Sequence, residues 1–375
     1  MKNKIYNYDF LIVGAGLIGS LLALSLKKKN FKFKIIEKHN NKSKDQRTLA
    51  INANSRDFLS QNGIWDKIKN QPEVINKIII KDQLNINQKL VFENKEEPMG
   101  HVAYNQEILE IVQGELNKDN SLISGIDLNP DHIKPNEIIH LNNSKYTFKK
   151  IIFATGKNSN LQKSFTKKTF PTDHNSYVGF FSHTKNHQNI AYEIFTKNGP
   201  LAVLPAPNKK KNYSTFIFST PTHYSVQELL RLLEKNFKNS HGQIKLQKQI
   251  FEFSLNPHLS KTKIKNTILL GDSLRSMHPV AGQGWNLGIK DIQTFCHLID
   301  LYDFQTKKFD EIYYARRQLE SFTYLGMTSL INYVYDHPNF LNRFIIRTSF
   351  KALQKIKPLK SLFIKQAMGR GYNFV

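Results

Sequence analysis

Cysteine is nearly absent from this sequence. One residue, Cys296, stands among 375, so no disulfide within the chain is possible and a reducing compartment is expected. Cys296 falls inside the helical run "IKDIQTFCHLIDLY" and reads as a small, buried apolar residue. Acidic residues are also scarce: 30 Asp and Glu stand against 54 Lys and Arg, for a net charge of +24. That excess alone would suggest nucleic acid as a partner. No helix–turn–helix, finger or aromatic-basic sheet pattern accompanies it. The lysines instead run with Asn, Ile and Phe along the whole length, as a coding bias toward AT-rich codons produces, and no nucleic-acid partner is expected. The charge still favours acidic surfaces, anionic lipid included. Metal-ligand spacings, a nucleophile motif and paired carboxylates for acid–base work are missing too, so no metal is expected.

Long hydrophobic runs are few. Residues 10–26, "FLIVGAGLIGSLLALSL", carry no charge and follow Lys2 and Lys4, which is the look of a signal peptide or of a short membrane span. Three glycines at a fixed spacing, Asp9 before the run and the lack of a small-residue cleavage site favour a strand and helix of a soluble nucleotide fold. The expectation is a cytoplasmic chain with neither signal peptide nor transmembrane span.

What is present indicates a globular protein: 40% hydrophobic residues, with 26 Phe and 15 Tyr. "YDFLIVGAGLIGSLLALSLKKKN" followed by "FKFKIIEKHN" reads as strand, tight turn, helix, strand. Residues 47–69 read as helical, with Gly63 as a stop signal. "KIIIKDQ" and "KLVFEN" alternate as strands, "AYNQEILEIVQGEL" returns as a helix, and "KKIIFATGKNS" is a buried strand ending in a glycine turn. From about 165 to 255, short β-type runs separated by turns predict an antiparallel sheet. "KNTILLGDS" is a further strand, and everything beyond Gly284 is predicted helical. The fold class is α/β (α+β): a Rossmann-like domain of discontinuous segments (1–75, 100–160 and 265–300), an inserted antiparallel-sheet substrate domain (76–99 and 161–264), and a helical C-terminal region (301–375).

Gly14-x-Gly16-x-x-Gly19 follows a strand and opens a helix. The first glycine permits the turn, the second admits a pyrophosphate to the backbone, and the third lets helix and strand pack closely. The helix start supplies free N–H groups and partial positive charge for phosphates. Glu37 ends the second strand, 23 residues after Gly14, where an acid accepts ribose hydroxyls. Ala15 and Lys38 belong to the same candidate site. Glycine spacing does not separate NAD from FAD, but a second stretch, "GDSLRSMHPVAGQGWNLGIKD", does. Gly271 and Asp272 end an apolar strand, and Asp272 suits a ribityl hydroxyl. The backbone then bends through Gly282, Gln283 and Gly284 into a helix whose start, aimed at a flavin, stabilises the negative charge gathered on reduction. Asn286 caps or contacts that edge and Leu287 follows it. His278 and Pro279 lie in the loop near the flavin; His278 reads better as holding the loop than as a base, and either role is open to it.

At these residues the chain resembles the ubiquinone-biosynthesis hydroxylases, single-component FAD monooxygenases related to para-hydroxybenzoate hydroxylase. The resemblance runs over nearly the full length, through Gly14–Gly19 with Glu37, "QRTLAINANSRDFLSQNGIW", "NGPLAVLP", "HPVAGQGWNLG" and "PLKSLFIKQAMG". It implies that Arg47 and the neighbourhood of Gln106 contact FAD. It also implies a reduced flavin that forms a C4a-hydroperoxide with molecular oxygen and passes one oxygen atom to an electron-rich ring, on a lipophilic polyprenyl-phenol or quinone precursor. Two departures stand out. Thr155 occupies the place of a usual acid before Gly156, which leaves the electron donor open between NAD(P)H and a separate reductase. Arg275 replaces a usual His within "GDSLR". The remaining alternatives are a reductase or dehydrogenase of the same fold without oxygen activation, and a flavoprotein scaffold among quinone-synthesis proteins.

In the insert, Phe180, Phe181, Phe195, Leu201, Val203, Leu204, Phe216 and Phe218 are candidates for an apolar pocket wall, although strand alternation makes at least half of them core. His183, His187 and His223 read as surface or turn residues. From His337 to Val375 there are eight Lys or Arg and no acid. Arg343, Arg347, Lys351 and Lys355 share one helical face, Leu341, Ile345, Ile346, Leu353 and Ile356 lie mostly opposite, and Pro358 breaks the run. This helix either lies on anionic lipid at the inner face of a membrane or docks on the core.

Overall fold

The computed structural model describes residues 4–40, 47–83, 89–128, 133–156, 165–170, 172–262, 264–277, 283–337 and 339–371. The chain opens with β1 (Ile5–Val13), α1 (Leu17–Lys28), β2 (Phe33–Glu37), β3 (Thr48–Ile51) and α2 (Ala53–Gln61). There follow β4 (Glu73–Ile75), β5 (Lys77–Asp82), β6 (Lys89–Glu93), β7 (Gly100–Tyr104), α3 (Asn105–Asn117), β8 (Leu122–Ser124), β9 (Ile139–Leu141) and β10 (Ser144–Phe153). The insert holds β11 (Phe165–Thr169), β12 (Asn175–His183), β13 (Ile190–Thr196), β14 (Gly199–Pro205), β15 (Tyr213–Thr220), α4 (Val226–His241), β16 (Ile244–Ser254) and β17 (His258–Thr262). The chain then returns through β18 (Thr267–Leu269) and β19 (Arg275–Ser276) to α5 (Gln283–Leu301), α6 (Lys307–Asp336), α7 (Phe340–Lys355) and α8 (Lys357–Ala367).

β1 is apolar at every position from Phe10 to Val13, and all four are buried. A strand buried on both faces belongs inside a parallel sheet covered by helices. β1 accordingly pairs in parallel with β10 and β2, and the order β18-β10-β1-β2-β8 brings strands from both ends and the middle of the chain together. α1 packs against α3 and α5. Across the sheet edge, Tyr313 on α6 donates to the Leu269 carbonyl at 3.0 Å, and Lys150 on β10 pairs with Asp310, a buried cation met by a carboxylate as it must be.

The second large sheet has the order β16-β12-β15-β14-β13-β5-β6, antiparallel apart from the β13–β5 pair. On one face lies α4, started by a Ser225–Glu228 capping box. Its Leu229, Leu233 and Phe237 bury against Tyr177, Phe181, Tyr192, Val203, Phe216 and Phe218. At the β5–β6 end the C-terminal helices close over the sheet, with Val334, Tyr335, Ile346 and Phe350 packed among Ile75, Leu90 and Phe92.

Four sequence readings are corrected. Residues 47–69 are not one helix: the segment begins as β3, paired with β7, and α2 starts only after Asn52, whose side chain accepts from the Ser55 N–H at 2.9 Å. That cap and the β-favouring "TLAI" before it explain the break. Pro358 does not stop a helix but sits in the first turn of α8, where a missing N–H costs nothing; the interruption falls at Ile356, which is extended (φ −95°, ψ 92°). His183 and His187 are not at the surface; both are buried beside His241, although His223 is exposed as expected. On α7 the apolar residues divide: Ile346 and Phe350 are buried, whereas Leu341 and Ile345 face solvent together with Phe340 and Phe344.

Candidate cofactor and substrate site

One cavity of about 1210 Å3 runs between the parallel sheet and the antiparallel one. Its floor is the glycine turn after β1. Gly14 has φ +105°, and a Cβ there would come within 2.5 Å of the Ala154 carbonyl oxygen. A Cβ on Gly19 would lie 2.0 Å from the Gly14 carbonyl oxygen, so α1 approaches the turn as closely as only glycine permits. Gly16 differs: among the described residues a Cβ there meets nothing within 4 Å. It caps α1 without a side-chain bond, and no acid lies in the first turn, so the N-terminal N–H groups of α1 are offered to the cavity.

Glu37 stands at the end of β2, where its Oε2 accepts the Ala15 N–H at 2.9 Å and its Oε1 the His39 N–H at 3.3 Å. The carboxylate thus holds the turn and lines the cavity at once. Lys38 lines it too and pairs with Asp127 at 2.8 Å. From β3 comes Arg47's neighbourhood, with the Arg47 guanidinium 5.2 Å from the Phe253 ring centroid. From α3 comes Gln106, whose Nε2 donates to Glu110 at 2.8 Å while its buried Oε1 has no partner among the described residues.

The second signature meets the first here. Gly271 and Asp272 follow β18 in a short 3-10 turn, and both line the cavity alongside Glu37. The Gly271 N–H donates to Asp291 at 2.9 Å, and the Asp272 carbonyl accepts from His258 at 3.2 Å. Burial holds the His258 imidazole below its ordinary pKa. The Thr155 N–H donates to the Ser273 hydroxyl at 2.8 Å, which ties the end of β10 to the same turn. Gly284 opens α5 at the cavity, and a Cβ added there also meets nothing within 4 Å among the described residues.

Gly14, Ala15, Gly16, Glu37, Lys38, Arg47, Gln106, Gly271, Asp272 and Gly284 are therefore brought to one cavity. Gly19, Gln283, Asn286 and Leu287 do not line it. Gly19 acts through helix packing. Asn286 is buried with its amide committed elsewhere: it accepts from the Asn52 N–H at 3.1 Å and donates to the Ala50 carbonyl at 2.9 Å. It therefore clamps α5 to the β3–α2 junction. The Leu287 carbonyl accepts from Arg275 at 2.9 Å. His278, Pro279 and Gly282 lie outside the described residues.

The opposite wall is the antiparallel sheet, and here the sequence reading is corrected. Of its eight pocket candidates only Leu204 lines the cavity; Phe181, Leu201, Val203, Phe216 and Phe218 form the core beneath α4, Phe195 packs with the C-terminal helices, and Phe180 stacks on Tyr213. The wall consists of Ser176 and Val178 on β12, Thr215 and Ile217 on β15, and Phe253 and Leu255 on and after β16. These are the alternate positions of the same strands. Gln113 was missed as well; it donates to the Ala15 carbonyl at 2.9 Å from one α3 face shared with Gln106 and Leu109, a spacing that could have shown it.

The residues fit an adenine dinucleotide. Two positions are clear of described side chains at two helix starts, an acid stands at the end of the second strand, and two buried polar atoms of the cavity lining, Gln106 Oε1 and Trp285 Nε1, have no partner among the described residues. The chain is 24% identical over 391 residues to "Ubiquinone hydroxylase UbiL" of Rhodospirillum rubrum, covering 96% of this chain and 89% of that protein. It is 24% identical over 464 residues to "Ubiquinone biosynthesis monooxygenase COQ6, mitochondrial" of Dictyostelium discoideum, covering 98% and 92%. Its fold matches p-nitrophenol 4-monooxygenase PnpA from Pseudomonas putida DLL-E4 with a TM-score of 0.76 at 14% identity, over 98% of this chain and all of the other. Residues 7–118 and 155–302, which hold both arms of the cavity, match the FAD binding domain family, and the chain belongs to it.

Proposed function

We propose that the protein is an FAD-dependent monooxygenase that hydroxylates the aromatic ring of a polyprenylated quinone precursor, with molecular oxygen as co-substrate. The observation that carries this reading is the contrast within one cavity: a nucleotide cradle on one side and, opposite, a wall of Val178, Leu204, Ile217, Phe253 and Leu255. Between residues 175 and 255 the described lining contains no ionisable side chain; its polar groups there are the Ser176 and Thr215 hydroxyls. Such a wall accepts a neutral ring with an apolar tail and offers a carboxylated substrate no ion pair.

When bound, FAD supplies the oxygen activation and the transfer of one oxygen atom to the ring. The chain supplies position and dryness. The start of α1 would hold the pyrophosphate, Glu37 the adenosine ribose and Asp272 the ribityl chain. The start of α5, bare at Gly284, would hold the flavin end, and the sheet wall would exclude water from the cavity. The electron donor is NAD(P)H or a separate reductase; Thr155, bonded to Ser273, stands where the family's acid usually does.

The same reading places the protein on the inner face of a membrane, near other quinone-synthesis proteins. Among the described residues no helix is long and apolar enough to cross a membrane. Among the described residues, eleven of the 16 exposed large hydrophobics fall between Leu319 and Leu362, Phe340 being 87% exposed. Arg343, Arg347, Lys351 and Lys355 stand exposed among them without an acid on α7 or α8. Apolar groups set among cations suit an anionic lipid surface. Sedimentation with phosphatidylglycerol vesicles should carry the protein down, and phosphatidylcholine vesicles should not; equal behaviour would remove the membrane assignment alone. The test of the activity is quinone-intermediate profiling in a strain lacking the protein. A precursor short of one ring hydroxyl should accumulate and disappear on complementation, and an unchanged profile would defeat the proposal.

A further inference from the structure

Behind the cavity lies a set of charges that the reading above does not use. Arg275 and Arg317 both donate to Asp291 Oδ1, at 2.7 and 2.6 Å. Arg317 also pairs with Glu320, and Lys290 donates to Glu320 at 2.9 Å. Asp291 is fully buried, and the side chains of Arg275, Arg317 and Glu320 are each less than a tenth exposed. Burial pushes the Glu320 carboxyl up, but Arg317 and Lys290 outweigh it and hold the group below its ordinary value. The cluster therefore contains three cations and two carboxylates. Arg275 is its least satisfied member, since its buried Nε and Nη1 have no hydrogen-bond partner among the described residues.

The cluster is joined directly to both cofactor-facing segments. Asp291 Oδ2 accepts the Gly271 N–H at 2.9 Å, and the Leu287 carbonyl, one turn into α5, accepts from Arg275 at 2.9 Å. Gly271 and Gly284 line the cavity. An unmatched charge removed from water acts over several ångströms, because little solvent screens it. A flavin gains negative charge on reduction, and fixed positive charge beside it favours that state.

We infer that this buried cluster carries one uncompensated positive charge that makes the protein hold reduced FAD more tightly than oxidised FAD, with Arg275 as its determinant. The inference rests on the FAD reading of the cavity. Arg275 is a positioning and field-setting residue, not a catalytic one. A plain structural staple between the turn and α5 would depend on its geometry, whereas the field depends on its charge.

The test is titration of the FAD-free protein with FAD, once in air and once anaerobically with dithionite-reduced FAD, for the wild type and for Arg275→Met, Arg275→Lys and Lys290→Met. The wild type should bind reduced FAD more tightly. Arg275→Met should erase about tenfold of that preference, equivalent to about 30 mV for a two-electron couple. Arg275→Lys should retain most of it, and Lys290→Met, at the edge of the cluster, should erase about threefold. If Arg275→Met does not fold, Lys290→Met decides. An unchanged ratio in methionine variants that still bind FAD overturns the inference, as does an equal loss in Arg275→Lys and Arg275→Met. A wild type that takes up no FAD in either state removes the FAD reading itself and this inference with it.

Discussion

The two walls of the cavity are made of different material. Toward the nucleotide the chain presents backbone: the Gly14–Gly16–Gly19 turn, the bare start of α5 at Gly284 and the Gly271–Asp272 turn. Across from it the antiparallel sheet presents side chains, Val178, Ile217 and Phe253 among them. Backbone recognition requires glycine at fixed places and tolerates little else. A side-chain wall requires only apolar bulk of the right shape, which many sequences supply. In the proposed reading one wall fixes the cofactor, and the other sets substrate choice.

The sharpest way to break this contrast is at Gly19. Gly19→Val puts side-chain atoms where even a Cβ falls 2.0 Å from the Gly14 carbonyl. FAD uptake should be lost and stability reduced by about 3 kcal/mol or more, read by flavin absorbance and a thermal melt. A variant that stays yellow would show that α1 can move away from the turn. Next in size is the other wall. Ile217→Glu should lower ring hydroxylation at least about a hundredfold, since a carboxylate then faces an apolar substrate, while FAD affinity stays within about threefold. Loss of both together would mean that the walls are not separable.

This division also explains what was legible in the sequence. Gly14, Gly16, Gly19, Glu37, Gly271, Asp272 and Gly284 could be read because each answers to a backbone or terminal-charge requirement with few solutions. The sheet wall could not. β12 and β15 carry apolar residues on both faces, so alternation gives two sets of positions without saying which faces α4 and which the cavity. Phe216 and Phe218 were the bulkier choice and went to the core, leaving Thr215 and Ile217 for the site. Asn286 was read from its place beside Gly284, but its partners, Asn52 and Ala50, are more than 230 positions away and leave no local trace. The same holds for His183, His187 and His241, which meet only once α4 has packed across the sheet.

A smaller effect sharpens the comparison. Gly284→Val meets no atom of the described residues at its Cβ, so the FAD-free protein should melt within a few degrees of the wild type, yet flavin occupancy should fall. An unchanged occupancy would move the flavin away from the start of α5. The smallest effect belongs to the far side of the sheet. Burial holds His187 down to about 4 and His241 down to about 3, aided by neighbouring imidazoles and by Lys211 and Lys81 respectively. In the unfolded chain a histidine takes its proton near 6.5. The folded state binds fewer protons below that value, so stability is fully present above about pH 6.5 and is lost as pH falls from there toward 4. Urea midpoints between pH 7.5 and 4.5 should decline, and less steeply in His187→Gln. A midpoint independent of pH would mean that these imidazoles are open to solvent.

The convergence of two remote segments on one cofactor is tested most directly by titrating FAD into the FAD-free protein, with Glu37→Ala and Asp272→Ala alongside. The account predicts one FAD per chain and a Kd weakened about tenfold or more in each variant, as the loss of a hydrogen bond to a charged group implies. Wild-type affinity in both variants, or no uptake by the wild type, would contradict it.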